Sequence, residues 1–324
     1  ERPCALRGLS PRGFGLERAG GPWETRARCT RGGMERIPEL VGLLRQPTGE
    51  QSDAQAAGES ALLEEVAIAC SQLYAFTGDG IPSLFSALLE GRLISPDWAE
   101  GVPPDQKLRV LQCIRLLVRD GALTAQFVDL GGVGVLAEEF GALSQLHFTP
   151  DPPPFASEIL VECASIAKKL VADESYWPLL VRERVYETLV RLLRTTDASL
   201  LPSVLVALIG LASRAEHAEL IGELDSIEVL LIMLEDYDAP FAGLAADLLH
   251  LLTRQAGVRA QLLQMGGLSK VYGMLCTEDP RLLQSLLRVI CNMAIDPAAV
   301  AETRQIGGVP VLVSLLSPGG AGAG

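Results

Sequence analysis

The sequence predicts an all-α chain wound as a right-handed solenoid of helical repeats. Three observations predict it. Apolar residues make up 48% of the 324 residues while aromatics are only 5%. The apolar content is therefore mostly Leu, Val, Ile and Ala, a mixture that favours helices. Apolar positions recur at i, i+3, i+4 spacing along nearly all of the chain after residue 60. The pattern then repeats itself about every 41 residues, a spacing that a bundle of unrelated helices would not keep.

The first 33 residues stand apart. They hold seven Arg and seven Gly and show no helical apolar period, so they read as a disordered leader outside the fold. Met34 is the candidate native start, because Ile37-Leu40-Val41-Leu43-Leu44 opens an apolar period directly after it. An intact mass of the endogenous protein that included residues 1–33 would exclude that start. A transit peptide is the rival reading of the same Arg-rich, weakly amphipathic stretch. Residues 34–59 read as a short helix and then a Gly/Gln/Ser/Asp-rich loop over 46–59. The repeat array is expected over 60–317. It opens with Leu62-Leu63-Val66-Ala67-Cys70-Leu73, breaks at Gly78-Asp79-Gly80 and resumes at Leu84-Leu88-Leu89. Residues 318–324 read as a disordered tail.

The period can be measured twice. Gly131-Gly132-Val133, Asp225-Ser226-Ile227, Gly266-Gly267-Leu268 and Gly307-Gly308-Val309 each open a short apolar helix, and Val185–Leu193 has the same spacing without glycines. The first apolar positions, 133, 185, 227, 268 and 309, are 52, 42, 41 and 41 residues apart. Asp197, Asp238 and Asp279 each precede a long apolar helix and are 41 and 41 apart. Asp279-Pro280 has the form of an N-cap with Pro in the first turn, and Asp238 with Pro240 is a looser version. The long step of 52 contains Thr149-Pro150-Asp151-Pro152-Pro153-Pro154, which cannot be helical and reads as an inserted loop.

Repeats of about 40–47 residues made of helix, turn and helix point to the armadillo/HEAT class. The last complete repeat divides into three helices, Arg281–Ala294, Ala298–Ile306 and Val309–Leu316. The glycine pair ends one helix in a left-handed cap and starts the next at a sharp angle. Three helices with that corner favour armadillo over HEAT.

The string Gly-Gly-Val-Pro-Val-Leu-Val-Ser-Leu-Leu at 307–316 resembles the armadillo consensus. Over roughly residues 80–317 the chain also resembles the N-terminal armadillo region of a NIMA-related serine/threonine protein kinase. The resemblance is carried by GRLISPDW at 91–98, LRVLQCIRLLVRD at 108–120 and IGELDSIEVLLIMLEDYD at 221–238. It implies a region that regulates or targets a kinase, in a family linked to the cell cycle and cilia. The chain holds no VAIK lysine, no HRD loop and no DFG; His147, His217 and His250 are followed by Phe, Ala and Leu. No enzyme is expected within it, and any ATP-dependent kinase activity would belong to a longer parent. The other reading is a free-standing armadillo adaptor for an extended peptide or a ciliary or cell-cycle partner. Val309–Leu316 has a full apolar face followed only by Ser, Pro, Gly and Ala. It is expected to be exposed here and covered by further repeats in such a parent.

A net charge of −13 argues against nucleic acid and anionic membrane, which need a basic stripe. Seven cysteines without a CxxC do not suit a disulfide framework. Cys70, Cys113, Cys163, Cys276 and Cys291 lie in apolar stretches and read as buried free thiols of a reducing compartment. The expected location is intracellular, with the cytoplasm first and the nucleus or cilium as alternatives. No apolar run reaches the ~18 residues of a membrane span. Gly132-Val133-Gly134 with Ala137 imitates a dinucleotide motif, but a helix, Ala122–Leu130, precedes it where a strand is needed. His217-Ala218-Glu219 has no second ligand nearby. Glu64-Glu65, Glu138-Glu139 and Asp236 with Asp238 read as solvated faces or caps, and Trp98 and Trp177 as packing groups. No metal, cofactor or small-molecule substrate is expected.

One constellation is the candidate site. Armadillo arrays line a groove with their long third helices. In importin-like members an Asn on that helix binds the backbone of an extended peptide. Aligning the long helices on their final apolar pair puts Arg115, Lys169, Gly210, His250 and Asn292 at that position. Only Asn292 keeps the Asn. Arg288 stands one turn earlier, where the family usually has Trp. This departure speaks against nuclear-signal binding. A ladder of Arg115, Lys169, His250, Arg288 and Asn292 suits an acidic or phosphorylated segment, with the kinase domain of the same parent as one candidate partner. The bland alternative is a solvated helix face.

Overall fold

A computed structural model of the chain describes residues 33–48, 51–72 and 80–316. The leader reading for residues 1–33 falls outside the described residues except at Gly33, which is helical and buried against Glu65 and Ala69 and so belongs to the fold; the readings at Leu73, Gly78 and Asp79 and the tail reading for 318–324 also fall outside the described residues. Every regular element among the described residues is helical.

The N-terminal part contains α1 (Ile37–Leu44), α2 (Asp53–Ser71) and α3 (Gly80–Leu88), which runs into a π-helical turn at Leu89–Leu93. A 3-10 turn, Pro96–Trp98, leads to α4 (Pro104–Leu117). The start of α2 corrects the loop expected over 46–59. Ser52 and Gln55 form a reciprocal capping box, which satisfies two orphan N–H groups and starts the helix seven residues before the apolar period begins. Polar composition concealed a helix whose first turns are held by caps and by one buried acid, Glu59.

Four repeats follow. The first is α5 (Gly121–Asp129), α6 (Gly132–Leu146) and α7 (Ala156–Val171). The second is α8 (Trp177–Arg182), α9 (Val185–Leu192) and α10 (Leu201–Leu211). The third is α11 (Ala215–Gly222), α12 (Ser226–Asp236) and α13 (Ala239–Leu252). The fourth is α14 (Ala256–Gln264), α15 (Gly267–Gly273) and α16 (Pro280–Met293). The helices α17 (Pro297–Gln305) and α18 (Gly308–Leu315) begin another. The predicted bounds of the last three helices agree with these to one residue, within the ordinary uncertainty of helix ends.

The long helices form one row, α2, α4, α7, α10, α13 and α16, each packed on the next. The architecture is an all-α armadillo-type solenoid. The reason is visible in α16. Asp279 accepts from the backbone N–H groups of Arg281 and Leu282, and Pro280 occupies the first turn. Its buried residues Leu282, Ser285, Leu286, Val289, Ile290 and Met293 follow helical spacing, so one stripe faces the core and the other faces out. In α10, LPSVLVALIGL, nearly every residue is apolar and most are buried.

The corners before α6, α15 and α18 turn on Gly131, Gly266 and Gly307, with φ of 81°, 63° and 74°. This is the left-handed cap that the glycine pairs predicted. The corner before α9 has the same geometry without glycine, Arg184 at φ 54°. Asp225, before α12, does without it, at φ −69°. A non-glycine residue in that region costs about 1–2 kcal/mol, and the exposed ion pair of Arg184 with Glu187 returns little. Arg184→Gly is therefore expected to raise the unfolding free energy by about 1 kcal/mol, read as a higher urea midpoint. A lower midpoint would show that the corner is unstrained.

The core runs without interruption from Ile37 to Ala299. It thins at α18, where Val309, Val311, Val313 and Leu316 are exposed, Leu316 by 84%. No helix among the described residues is long and apolar enough to cross a membrane.

A polar ladder across the long helices

The aligned positions lie near the C-terminal ends of α4, α7, α10, α13 and α16. Each such end leaves carbonyls without an intrahelical partner. The ladder closes on them. Lys169 Nζ donates to the Arg115 carbonyl at 2.7 Å. Asn292 Nδ2 donates to the His250 carbonyl at 2.9 Å, and lies 3.1 Å from Thr253 Oγ1 and 3.3 Å from His250 Nδ1. Arg119, one turn beyond Arg115, donates through Nη2 to the Cys70 carbonyl of α2 at 2.9 Å. Each of these three side chains reaches back to the preceding long helix. The structure brings Arg115 and Lys169 together, and separately His250, Arg288 and Asn292.

Gly210 divides the two groups. A Cβ there would meet Val171 Cγ1 at 2.2 Å, so the close approach of α7 and α10 leaves no room for a side chain. Exposed Val206 lies one turn earlier, and the whole of α10 carries no charged residue.

In the first group Arg115 Nε pairs with Glu162 of α7, a carboxylate only 8% exposed as a residue. Burial pushes the Glu162 carboxyl up from its usual range, against the pull of Arg115 and Lys169. Lys169 is pushed the other way, down to about 8, first by burial and then by Arg119, Arg115 and Lys168. Lys168 donates to Ser203 Oγ of α10 at 3.2 Å. Sequence reasoning missed Arg119 and Lys168 as members. Their signals were the Arg one turn after Arg115 and the Lys-Lys doublet.

A depressed lysine pKa means that the folded chain releases a proton before the unfolded one does. Stability is then penalised below pH ~8 and recovers as pH rises from about 8 towards 10.5, where the unfolded chain binds more protons. Lys169 is half-buried, so the recovery is discounted for solvent screening to about 1 kcal/mol. Lys169→Met is expected to lose this slope. Urea unfolding of both chains at pH 7.5 and pH 10 measures it, and parallel changes in the two would remove the effect from Lys169.

In the second group burial lowers the His250 pKa first, followed by the positive charges of Arg254 and Arg288. Arg288 itself is exposed on α16.

Toward the N-terminal ends of the helices the charge reverses. A cleft of about 500 Å³ is lined by Gln112, Ser157, Glu158, Val161, Glu162, Asp197 and Ser199. It holds three acids and no base. The row is thus acidic along one side and basic along the other at α4 and α7.

The remaining motifs have structural places. The glycines of the apparent dinucleotide motif form the corner between helices α5 and α6. Trp177 donates to the Val171 carbonyl at 2.7 Å, and His217 packs edge-on against its ring. Lys107 lies over the Trp98 ring and pairs with Glu139 at 2.9 Å. Cys70, Cys113 and Cys163 are buried, and burial pushes the Cys70 thiol to about 11. Cys276 and Cys291 correct the expectation: they are exposed. Cys276 ends a 3-10 turn, and Cys291 lies off the buried stripe of α16.

No family model matches the chain. Over 179 residues, 55% of the chain, it is 34% identical to the serine/threonine-protein kinase Nek10 of Homo sapiens and covers 15% of that protein. It is 33% identical over the same length to Nek10 of Mus musculus, covering 16% of it. Among solved structures, the designed armadillo repeat protein YIII(Dq)4CqI is 14% identical, with a TM-score of 0.59 over 79% of this chain and 99% of that one. A second design, YIII(Dq.V1)4CPAF in complex with the peptide (KR)4, is 14% identical, with a TM-score of 0.58 over 79% and 99%. At such identity the structural likeness establishes the fold alone.

Proposed function

We propose that this armadillo-like region of a Nek10-related protein is the regulatory or targeting arm of a NIMA-like serine/threonine kinase, and that it acts by holding an extended segment against its row of long helices. The observation that carries the reading is that row. Six long helices pack in sequence from α2 to α16, and the sequence likeness is to a protein kinase. A repeat array presents a long, regular surface with little chemistry of its own, which is what recognition of an extended partner requires. One designed neighbour is in complex with the basic peptide (KR)4, and here the cleft lined by Glu158, Glu162 and Asp197 beside α7 would take a cationic side chain. The activity of the whole kinase lies with the rest of such a protein, since the match spans 15% of its human relative.

The test is binding of the purified chain to the separately expressed kinase domain of its parent gene. Micromolar or tighter affinity, weakened at least tenfold by Arg115→Ala with Lys169→Ala, identifies an autoregulatory arm. No measurable binding excludes regulation in cis. It leaves a targeting scaffold, or an adaptor acting on partners in ciliated or dividing cells, to be sought by pull-down.

A further inference from the structure

We propose that Thr149, in the Pro-rich insertion between α6 and α7, is a phosphoacceptor for a proline-directed serine/threonine kinase, and that its phosphate adds to the acidic cleft beside α7. The second half rests on the reading that the cleft takes a cation of the bound segment; the acceptor itself does not.

The insertion is the part of the array that the period does not require. It lies in the step of 52 residues where the others take 41 or 42. The hydrophobic core passes from Leu143 to Ala156 without it. Thr149, Pro150, Asp151 and Pro152 are all exposed, and so are the rings of Phe148 and Phe155 at its ends. Phe155 also sits at a φ of 60°, which costs a non-glycine residue about 1–2 kcal/mol. Packing explains neither the rings nor that cost.

Proline after the hydroxyl residue is a readable signal. It biases Thr149 toward an extended backbone, and it has no N–H. An enzyme pocket without an acceptor at that place selects Pro, because any other residue would bury an unpaired donor. Thr149 Oγ1 donates to the Leu146 carbonyl at 2.6 Å, a bond at a helix end that water can replace. In the transfer Oγ1 bonds to the γ-phosphorus of ATP and the bond from that phosphorus to the bridging oxygen of ADP breaks. The hydroxyl proton passes to the kinase's base and then to water.

The chain carries its own control. Its Ser/Thr-Pro pairs begin at Ser10, Ser95, Thr149 and Ser317, and Ser10 and Ser317 lie outside the described residues. Ser95 is half-buried, its Oγ accepts from the Asp97 N–H at 3.3 Å as the cap of a 3-10 turn, and Arg92 and Trp98 on either side are buried. The same dipeptide is thus locked at one place and open at the other.

His147 ties the loop to the cleft. Its Nε2 lies 3.0 Å from Thr195 Oγ1 and its Nδ1 3.5 Å from Ser157 Oγ. Ser157 lines the cleft with Glu158, Glu162 and Asp197. Two residues of chain span at most about 7 Å, so a phosphate of about −1.5 to −2 charge acts on that cleft where salt is low. Its sign is that of the acids already there, so it draws a cation harder. The carbonyl end of α6 and Asp151 repel it, which keeps it in water instead of docked on the array.

The test incubates the full chain with a cyclin-dependent kinase and ATP and maps the phosphate by mass spectrometry. Thr149 is expected to be modified at least tenfold faster than Ser95 in the folded chain, and at a similar rate when residues 143–156 and 89–102 are offered as synthetic peptides. Pro150→Ala, a change outside the core, removes the reaction at Thr149. The phosphorylated chain then binds the peptide (KR)4 about threefold more tightly at low salt, the attraction of about two charges across ~10 Å of water. Thr149→Ala, treated alike, shows no gain. Equal rates at Ser95 and Thr149 in the folded chain, or no phosphate on Thr149, overturn the acceptor. Phosphate on Thr149 with unchanged (KR)4 affinity overturns its action on the cleft. If neither form binds (KR)4, the cationic reading of the cleft falls and the acceptor stands.

Discussion

Glu59→Ala is expected to lower the unfolding free energy by about 3–5 kcal/mol. Glu59 of α2 and Arg92 of the π-helical turn after α3 are both fully buried and form an ion pair through Arg92 Nη2, with a second bond from Nε at 2.8 Å. The remaining guanidinium hydrogens are spent on backbone. Nη1 donates to the carbonyls of Gly91, Leu44 and Gln46 at 2.6, 2.9 and 3.0 Å, and Nη2 to Leu43 at 3.2 Å. Gln51 completes the carboxylate at 3.0 Å. Gly91 is needed beside them, since a Cβ there would fall 2.1 Å from the Leu44 oxygen. Removing the acid leaves a buried guanidinium among carbonyls with no counter-charge. The cost comes from desolvation of the orphan more than from the lost attraction. Arg92→Met with Glu59→Leu should therefore recover much of the loss. Urea unfolding decides the matter. A loss below ~1 kcal/mol for Glu59→Ala would mean that water reaches the pair.

Phe127→Ala is expected to cost about 3–5 kcal/mol, the usual penalty for deleting a buried ring. Phe127 is fully buried at the end of α5, and its ring presses on Gly132, the second glycine of the corner. A Cβ on Gly132 would lie 2.6 Å from Phe127 Cε2. The ring and the glycine are two halves of one contact, so their substitutions should not add. Gly132→Ala should be better tolerated beside Phe127→Ala than alone, by an amount a double-mutant cycle resolves. Simple additivity would show that the clash is with the Phe127 carbonyl, 2.9 Å from the same Cβ, and not with the ring.

Much of the fold was legible because a solenoid writes its geometry repeatedly. The 41-residue step, the glycine corners and the Pro-rich insertion before α7 all emerge from local rules that tertiary packing does not overturn. Arg184 and Asp225 mark the limit. Both hold a corner position without glycine, yet one takes the left-handed conformation and the other does not. The start of α2 escaped because its polar composition outweighed a capping box spread over only four residues. The ladder was legible as positions but not as contacts. That Lys169 and Asn292 turn back onto carbonyls of the preceding helix depends on how helices some 40–54 residues apart are stacked. Arg92 gave less warning still, as an arginine in a short segment between apolar runs, whose burial depends on Glu59, 33 residues earlier.

The gap at Gly210 has a mechanical consequence. Donors on α7 and α16 and in the turn after α4 fasten each of those helices to the one before it, and Ser285 of α16 adds a bond to Asp247 of α13. Lys168 and Ser165 reach α10 through Ser203. Between α10 and α13, no side-chain hydrogen bond crosses among the described residues, and the joint is apolar contact alone. Hydrogen bonds fix direction, whereas dispersion and apolar burial fix only proximity. Tension or curvature imposed on the array is therefore taken up at that joint first.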